Sequence, residues 1–392
     1  MFERRAEKMD FELTEEQKMF RQMAREFAER ELISAGKEYD QSGKYPYDFF
    51  KKMAPLGLLG ILIPQQYGGL GLGPLTWVLI NEQLAWGSMS IATITQTGML
   101  PGSIILDAGN EEQKKKYLPP LCRGEKIYSM AAAEPNAGSD GANIETKAAS
   151  DGDSWVLNGN KVFVTNGNVA DMIIVLAQTE KGKGSKGLVL VAVDKETPGI
   201  FRAPIKGETG LRCGDIAQVR LTDCRVPRAN AINEVGLGLK FAFGGITNMR
   251  ICISSQCVGL AQRCIDICVK YAKERQQFKK PIGSFQLVQE LIAESVVETE
   301  AARWLTYHAA YRREKGLSVT REASIAKLFS TEMAVRTTVR AIKVHGGYGC
   351  FEDYTVERLN REALITLAPG GTSEVHKMTI GRQMLDIDAL SR

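Results

Sequence analysis

Histidine is the scarcest chemistry-bearing residue in this chain. Three occur in 392 positions, His308, His345 and His376. That leaves little for a histidine-based triad or a metal centre, and no metal is expected. No Gly-x-Ser-x-Gly elbow and no phosphate-cradling G-x-x-x-x-G-K-[ST] loop occurs. Gly68-Gly69-x-Gly71-x-Gly73 follows a helical pattern and reads as a loop, not a dinucleotide fingerprint. The eight cysteines form no C-x-x-C knuckle. Cys252, Cys257, Cys264 and Cys268 fall in one helical stretch, and only Cys264 and Cys268 share a face, so they read as reduced, buried apolar side chains in a reducing cytoplasm. An excess of one charge sign is missing too. A net charge of +4 gives no footprint for nucleic acid, and the run Lys114-Lys115-Lys116 reads as a solvated helix end. The longest apolar run, Leu56 to Pro64, is far short of the roughly 20 residues that span a bilayer. Met1-Phe2-Glu3-Arg4-Arg5 lacks the apolar core of a signal peptide. A soluble cytoplasmic protein, with neither membrane nor nucleic-acid partner, is expected.

What the chain does contain falls into three zones. Residues 1–126 carry helical periodicity: Thr14-Glu15-Glu16-Gln17 resembles a capped start, with Phe20, Met23, Phe27 and Leu32 recurring behind it. Glycine-rich breaks then precede a helix from about Leu75 to Trp86. Residues 127–236 change to short β-like runs, such as Met172 to Ala177 and Gly187 to Val193. Leu157-Asn158-Gly159-Asn160-Lys161 between two such runs signals a hairpin turn, and the spacing suggests a small antiparallel barrel or sandwich. Residues 237–392 return to long helices, over Gly238 to Lys273, Ser284 to Lys315 and Ser324 to Lys343, as in a four-helix bundle. The expected class is α+β, with helical, β-barrel-like and helical-bundle domains in that order.

Five polar-and-glycine segments are set along this frame. They are Ala133-Glu134-Pro135-Asn136-Ala137-Gly138-Ser139-Asp140, Asn158 to Gly167, Glu274-Arg275-Gln276-Gln277-Phe278 with Pro281 and Phe285-Gln286, His345-Gly346-Gly347-Tyr348-Gly349, and Pro369-Gly370-Gly371-Thr372-Ser373-Glu374. Ser or Thr beside Gly offers hydroxyls and close backbone approach to a phosphate or ring edge. Arg275 can pair with a phosphate, and Phe163 or Phe278 can pack against an aromatic ring. Taken singly, the same residues could be turns, a helix cap and core packing. Together, in order and spacing over nearly the whole chain, they resemble the acyl-CoA dehydrogenase family, flavoproteins that oxidise acyl-CoA thioesters.

The resemblance implies FAD, an acyl-CoA substrate, electron-transfer flavoprotein as redox partner and a homotetramer whose cofactor spans subunits. It implies that Tyr128, Met130, Ala132, Ala133, Ser139, Phe163 and Thr165 line the flavin from the β zone, with Ala133 replacing the usual threonine. It gives Arg275, Phe278 and Gln286 to a neighbouring subunit's cofactor, and Lys343, Gly346, Gly347, Thr372 and Glu374 to further flavin contacts. On the substrate side it points to Ser139, Gly371, Thr247, Met249 and Arg250, with Thr247 where an aspartate is usual. Thr95 and Gln96 would line a rather polar acyl pocket. The family's catalytic glutamate falls at Gly370, and the alternative glutamate of the isovaleryl-CoA dehydrogenase branch falls at Met249. Both positions are vacant, so the proton acceptor is unidentified, while Gly370 keeps a backbone N–H for the thioester oxygen. FAD-dependent oxidation of a short, branched or cyclic acyl-CoA by a non-standard proton acceptor is expected. A cyclic-enoyl-CoA 1,4-dehydrogenase, a non-oxidative lyase or desulfinase, and a flavin- or CoA-binding protein without turnover remain as alternatives.

Overall fold

The computed structural model describes residues 12–180 and 182–387. Helices come first: α1 (Glu15–Phe27), α2 (Ile33–Ser42), α3 (Tyr47–Met53), α4 (Pro74–Gly87), α5 (Met89–Gln96), α6 (Met99–Ala108) and α7 (Glu111–Cys122). The Thr14 hydroxyl accepts from Gln17 N while Gln17 returns the bond to Thr14 N, the capping box read in the sequence. Pro74, lacking an N–H, opens α4 directly after the glycine-rich loop. The segment Met89–Ala108 has the length and mean hydropathy (1.2) of a membrane span, but it is two helices and 78% buried inside the molecule. It is core.

The strands follow: β1 (Tyr128–Ala131), β2 (Lys147–Asp151), β3 (Ser154–Thr165), β4 (Met172–Gln178), β5 (Leu188–Asp194), β6 (Ile200–Pro204) and β7 (Ile216–Pro227). They form one sheet in the order β1-β4-β2-β3-β7-β6, with β5 added to β4. Two details differ from the sequence reading. The sheet is mixed, because β4 runs parallel to β1 and, at Lys147 and Gln178, to β2. And Asn158-Gly159 makes no turn. β3 runs straight through it with a register shift against β7, because Thr146 crosses so closely that a Cβ at position 159 would lie 2.2 Å from its Oγ1. Glycine is there for backbone approach, not for positive φ.

β4 is buried along its whole length. Met172, Ile174 and Leu176 enter the core shared with the helices, and Ile173, Val175 and Ala177 enter a separate core inside the sheet layer. The period-2 alternation of a strand therefore joins the two layers.

A small hairpin, β8 (Gln276–Gln277) and β9 (Lys280–Pro281), links α8 (Gly238–Glu274) to α9 (Gln286–Glu314). α10 (Thr320–His345), α11 (Thr355–Ile365) and α12 (Ser373–Leu385) complete the chain. α8 is the axis of the helical body, packed against α4, α6, α9 and α10.

Candidate functional site

Gly370 and Gly371 stand just before α12 with consecutive positive φ angles of 73° and 110°. This turn is reserved for glycine. A side chain placed at position 370 would point at α8, with its Cβ 3.4 Å from Arg250 Cγ, 3.5 Å from Met249 Cε and 3.7 Å from Ile253 Cδ1. The two positions vacant of glutamate thus converge on one spot, and neither brings a carboxylate to it. Arg250 is 4% exposed and its Nε donates to Gly370 O at 2.7 Å. Burial lowers its pKa with no anion opposing the shift, so it is a clasp on the glycine turn and not half of a helix ion pair. Thr247, at the position where the family resemblance implies an aspartate, donates its hydroxyl to Phe243 O of its own helix at 2.8 Å.

Two residues that no motif flagged complete this cluster. Lys327 of α10 is fully buried, and its Nζ donates to Gly371 O at 2.8 Å and Leu367 O at 3.0 Å. Burial pulls its pKa down to about 8. His376 of α12 is also fully buried, and among the described residues its ring nitrogens meet only the Gly371 backbone, without a well-formed hydrogen bond. Burial first, then Arg250 and Lys327, bring its pKa down to about 4, so it is neutral at pH 7.

On the sheet side, the side chains of Tyr128, Met130 and Ala132 turn into the helical core, Tyr128 edge-on to Tyr117 at 5.9 Å, so what they can offer a ligand is backbone. Val162 N donates to Ala133 O at 3.0 Å, tying this segment to β3. Phe163 sits at a bulge in β3 with φ 56° and is 71% exposed, which rules out core packing. Thr165 is half-buried and Ser139 exposed.

Farther along, Arg275 ends α8 with its guanidinium over the Tyr348 ring at 5.2 Å, joining it to the segment of Gly346 and Gly347. Phe278 is 88% exposed at the tip of the β8–β9 hairpin, and Lys343 and Gln286 are exposed nearby in sequence to this group. Arg250 and Arg275 are 25 positions apart on one helix, roughly 37 Å at 1.5 Å per residue, so the structure does not bring Arg275 to the glycine turn of its own chain.

Thr95 and Gln96 are placed differently from the expected polar pocket. Thr95 donates into its own helix, to Ile91 O at 2.8 Å, while Gln96 donates to Leu58 O at 2.8 Å and accepts from Trp77 Nε1 at 3.3 Å. Their polarity is spent inside the helical layer.

Residues 14–125, 129–224 and 236–385 match, in order, the N-terminal, middle and C-terminal domain profiles of acyl-CoA dehydrogenases. The chain belongs to the acyl-CoA dehydrogenase family. It is 40% identical over 383 residues to acryloyl-CoA reductase (NADH) of Anaerotignum propionicum, covering 97% of each chain. It is 35% identical over 374 residues to the caffeyl-CoA reductase–Etf complex subunit of Acetobacterium woodii, covering 95% of this chain and 99% of that one. Its fold superposes on butyryl-CoA dehydrogenase from Megasphaera elsdenii with a TM-score of 0.93 at 35% identity, covering 96% of this chain and 100% of that one.

Acyl-CoA dehydrogenases are FAD enzymes acting on a CH–CH bond, and the cofactor here is FAD. The residues fit it. Phe163 offers an exposed ring, Gly138, Gly346 and Gly347 have open space where a side chain would stand, and Thr372 caps the start of α12, with Val375 N donating to its hydroxyl. The positive end of a helix at that point suits a pyrophosphate or ring edge.

Proposed function

We propose that this acyl-CoA dehydrogenase family member interconverts a short, branched or cyclic acyl-CoA and its α,β-enoyl form without a placed carboxylate base, and that it works best toward reduction. The observation that carries the proposal is the convergence of Met249 and Gly370 on one carboxylate-free spot beside Arg250. Gly370 N–H and the Gly371 backbone hold the thioester carbonyl, and Arg250 fixes the turn through Gly370 O. FAD, when bound, supplies hydride exchange with the β carbon.

The base that is missing for oxidation is also the acid that is missing for reduction, so the vacancy slows both directions through one transition state. Oxidation requires removal of a weakly acidic α proton, for which a positioned base is worth about 10²–10⁴-fold. In reduction the enolate-like α carbon then takes its proton from water, and in oxidation the proton returns to water by the same path. The direction proposed, reduction, is supported by the reductase names of two relatives. Electron-transfer flavoprotein as redox partner, a cytoplasmic homotetramer, and domain joints at 126/127 and 236/237 belong to the same proposal. Exposed Phe278, Leu287 and Val297 (88%, 75% and 68%) support the assembly.

Anaerobic flavin absorbance tests the direction. Photoreduced holoenzyme mixed with crotonyl-CoA should reoxidise faster than butyryl-CoA bleaches the oxidised form. Equally fast bleaching by butyryl-CoA would contradict the proposal.

A further inference from the structure

Two cations are buried against the glycine turn, and among the described residues no anion is paired to either. Arg250 is opposed by burial alone. The charged and titratable groups facing Lys327 are Arg250 and Cys257 of α8, Glu332 of its own helix and Glu374 of α12, with neutral His376 beside them. Glu332 accepts a hydrogen bond from the Ser373 hydroxyl at 2.6 Å, and exposed Glu374 pairs with Lys377 at 3.9 Å. Neither carboxylate forms an ion pair with Lys327 among the described residues. Burying an ion without a partner costs several kcal/mol, and such groups concentrate where a site needs them.

Their attachment points suggest the need. Arg250 Nε binds Gly370 O, and Lys327 Nζ binds Gly371 O. Each carbonyl shares a peptide with the next N–H: Gly371 N–H, one of the thioester's donors, for Arg250, and Thr372 N–H for Lys327, whose charge also acts through space on the turn. A cation on the oxygen polarises that N–H into a stronger donor. Successive positive-φ glycines already form an anion-favouring concavity.

We propose that Lys327, together with Arg250, is a positioning residue that charges the glycine turn from behind and stabilises the enolate of the bound thioester, without touching the substrate. The inference rests on the reading that this turn holds the thioester carbonyl. It concerns only where the negative charge is held, whichever way the reaction runs.

Acetoacetyl-CoA tests it, because it ionises to an enolate by giving one proton to solvent and so reports enolate stabilisation without flavin reduction. Bound to oxidised holoenzyme and followed by its ultraviolet enolate band, it should ionise at lower pH than when free. Lys327→Met should raise that ionisation by about one pH unit or more, a tenfold loss. Affinity for crotonyl-CoA, which does not ionise, should stay within about threefold, and Lys327→Arg should restore the wild-type titration. Arg250→Gln should shift the ionisation in the same direction, which keeps the test available if Lys327→Met fails to fold. Unchanged ionisation in every flavin-loaded variant, or equal weakening of both thioesters, overturns the proposal. Failure of the wild-type enzyme to bind either thioester removes the reading of the turn itself, and the cation pair with it.

Discussion

At Gly370 the backbone angle, more than the space, limits what can be put back. Glutamate there must adopt φ near 73°, a left-handed conformation that costs a side chain about 1–2 kcal/mol. Met249 lies in the regular helix α8, with its Cε 3.5 Å from the same spot. Met249→Glu should therefore raise butyryl-CoA dehydrogenation by about 10²-fold, while Gly370→Glu gains less and lowers stability; steady-state dye reduction and urea unfolding read the two effects. His376 gives a prediction with a defined sign. Its folded pKa of about 4 lies below the ordinary 6.5, so below pH 6.5 the unfolded chain takes up a proton that the folded chain refuses. The corresponding stability is present above pH 6.5 and lost as pH falls to about 4, on the order of 3 kcal/mol. Urea unfolding of His376→Gln should lose most of that acid slope. The glycine turn, Met249 and Arg250 could be found in the sequence because a recurring motif and a helix position mark them. Lys327 could not: its carbonyl partners are 40 and 44 residues away, and nothing around it in α10 announces a buried charge.

Among the elements, β3 is held from inside. Lys161, fully buried, donates to Glu134 Oε1 at 2.7 Å and to Ala132 O at 3.1 Å, and Glu134 also accepts from Glu145 N and from Thr146 N. One ion pair thus ties β3 to both sides of the loop carrying Ala133 and Ser139. Lys161→Met leaves that carboxylate buried and unpaired, and should cost about 3–5 kcal/mol in urea unfolding, with FAD lost on gel filtration. The β8–β9 hairpin is strained by comparison, since Phe278 and Lys279 hold φ of 50° and 63°, the left-handed pair that a two-residue hairpin requires and that glycine or asparagine usually fills. Lys279→Gly should stabilise the protein, raising its melting temperature, by a fraction of the roughly 1–2 kcal/mol left-handed penalty. Elements set by local pattern were legible: the capped start at Thr14, the long helices, and the continuous apolar runs of β4 and β5. Asn158-Gly159 misled because the decisive neighbour, Thr146, lies outside any local window, and the parallel pairing of β1 with β4 has no local signature.

At the scale of the whole molecule, the helical layers and the sheet share one core through β4, and the carboxylate-free spot lies where α8 meets the turn before α12. The order helical, β, helical was readable from changes of period along the chain. The convergence of Met249 and Gly370, 121 positions apart in the sequence, needed the fold. The claim that no side chain stands ready to take the α proton is tested most directly by hydrogen exchange. Holoenzyme is incubated with butyryl-CoA in D₂O without an electron acceptor, and deuterium at the α carbon is followed by NMR. Wild-type protein should give only slow exchange, limited by proton transfer to water, and Met249→Glu should raise it by about 10²-fold. Rapid α-deuteration by the wild-type enzyme would mean that a base is already in place.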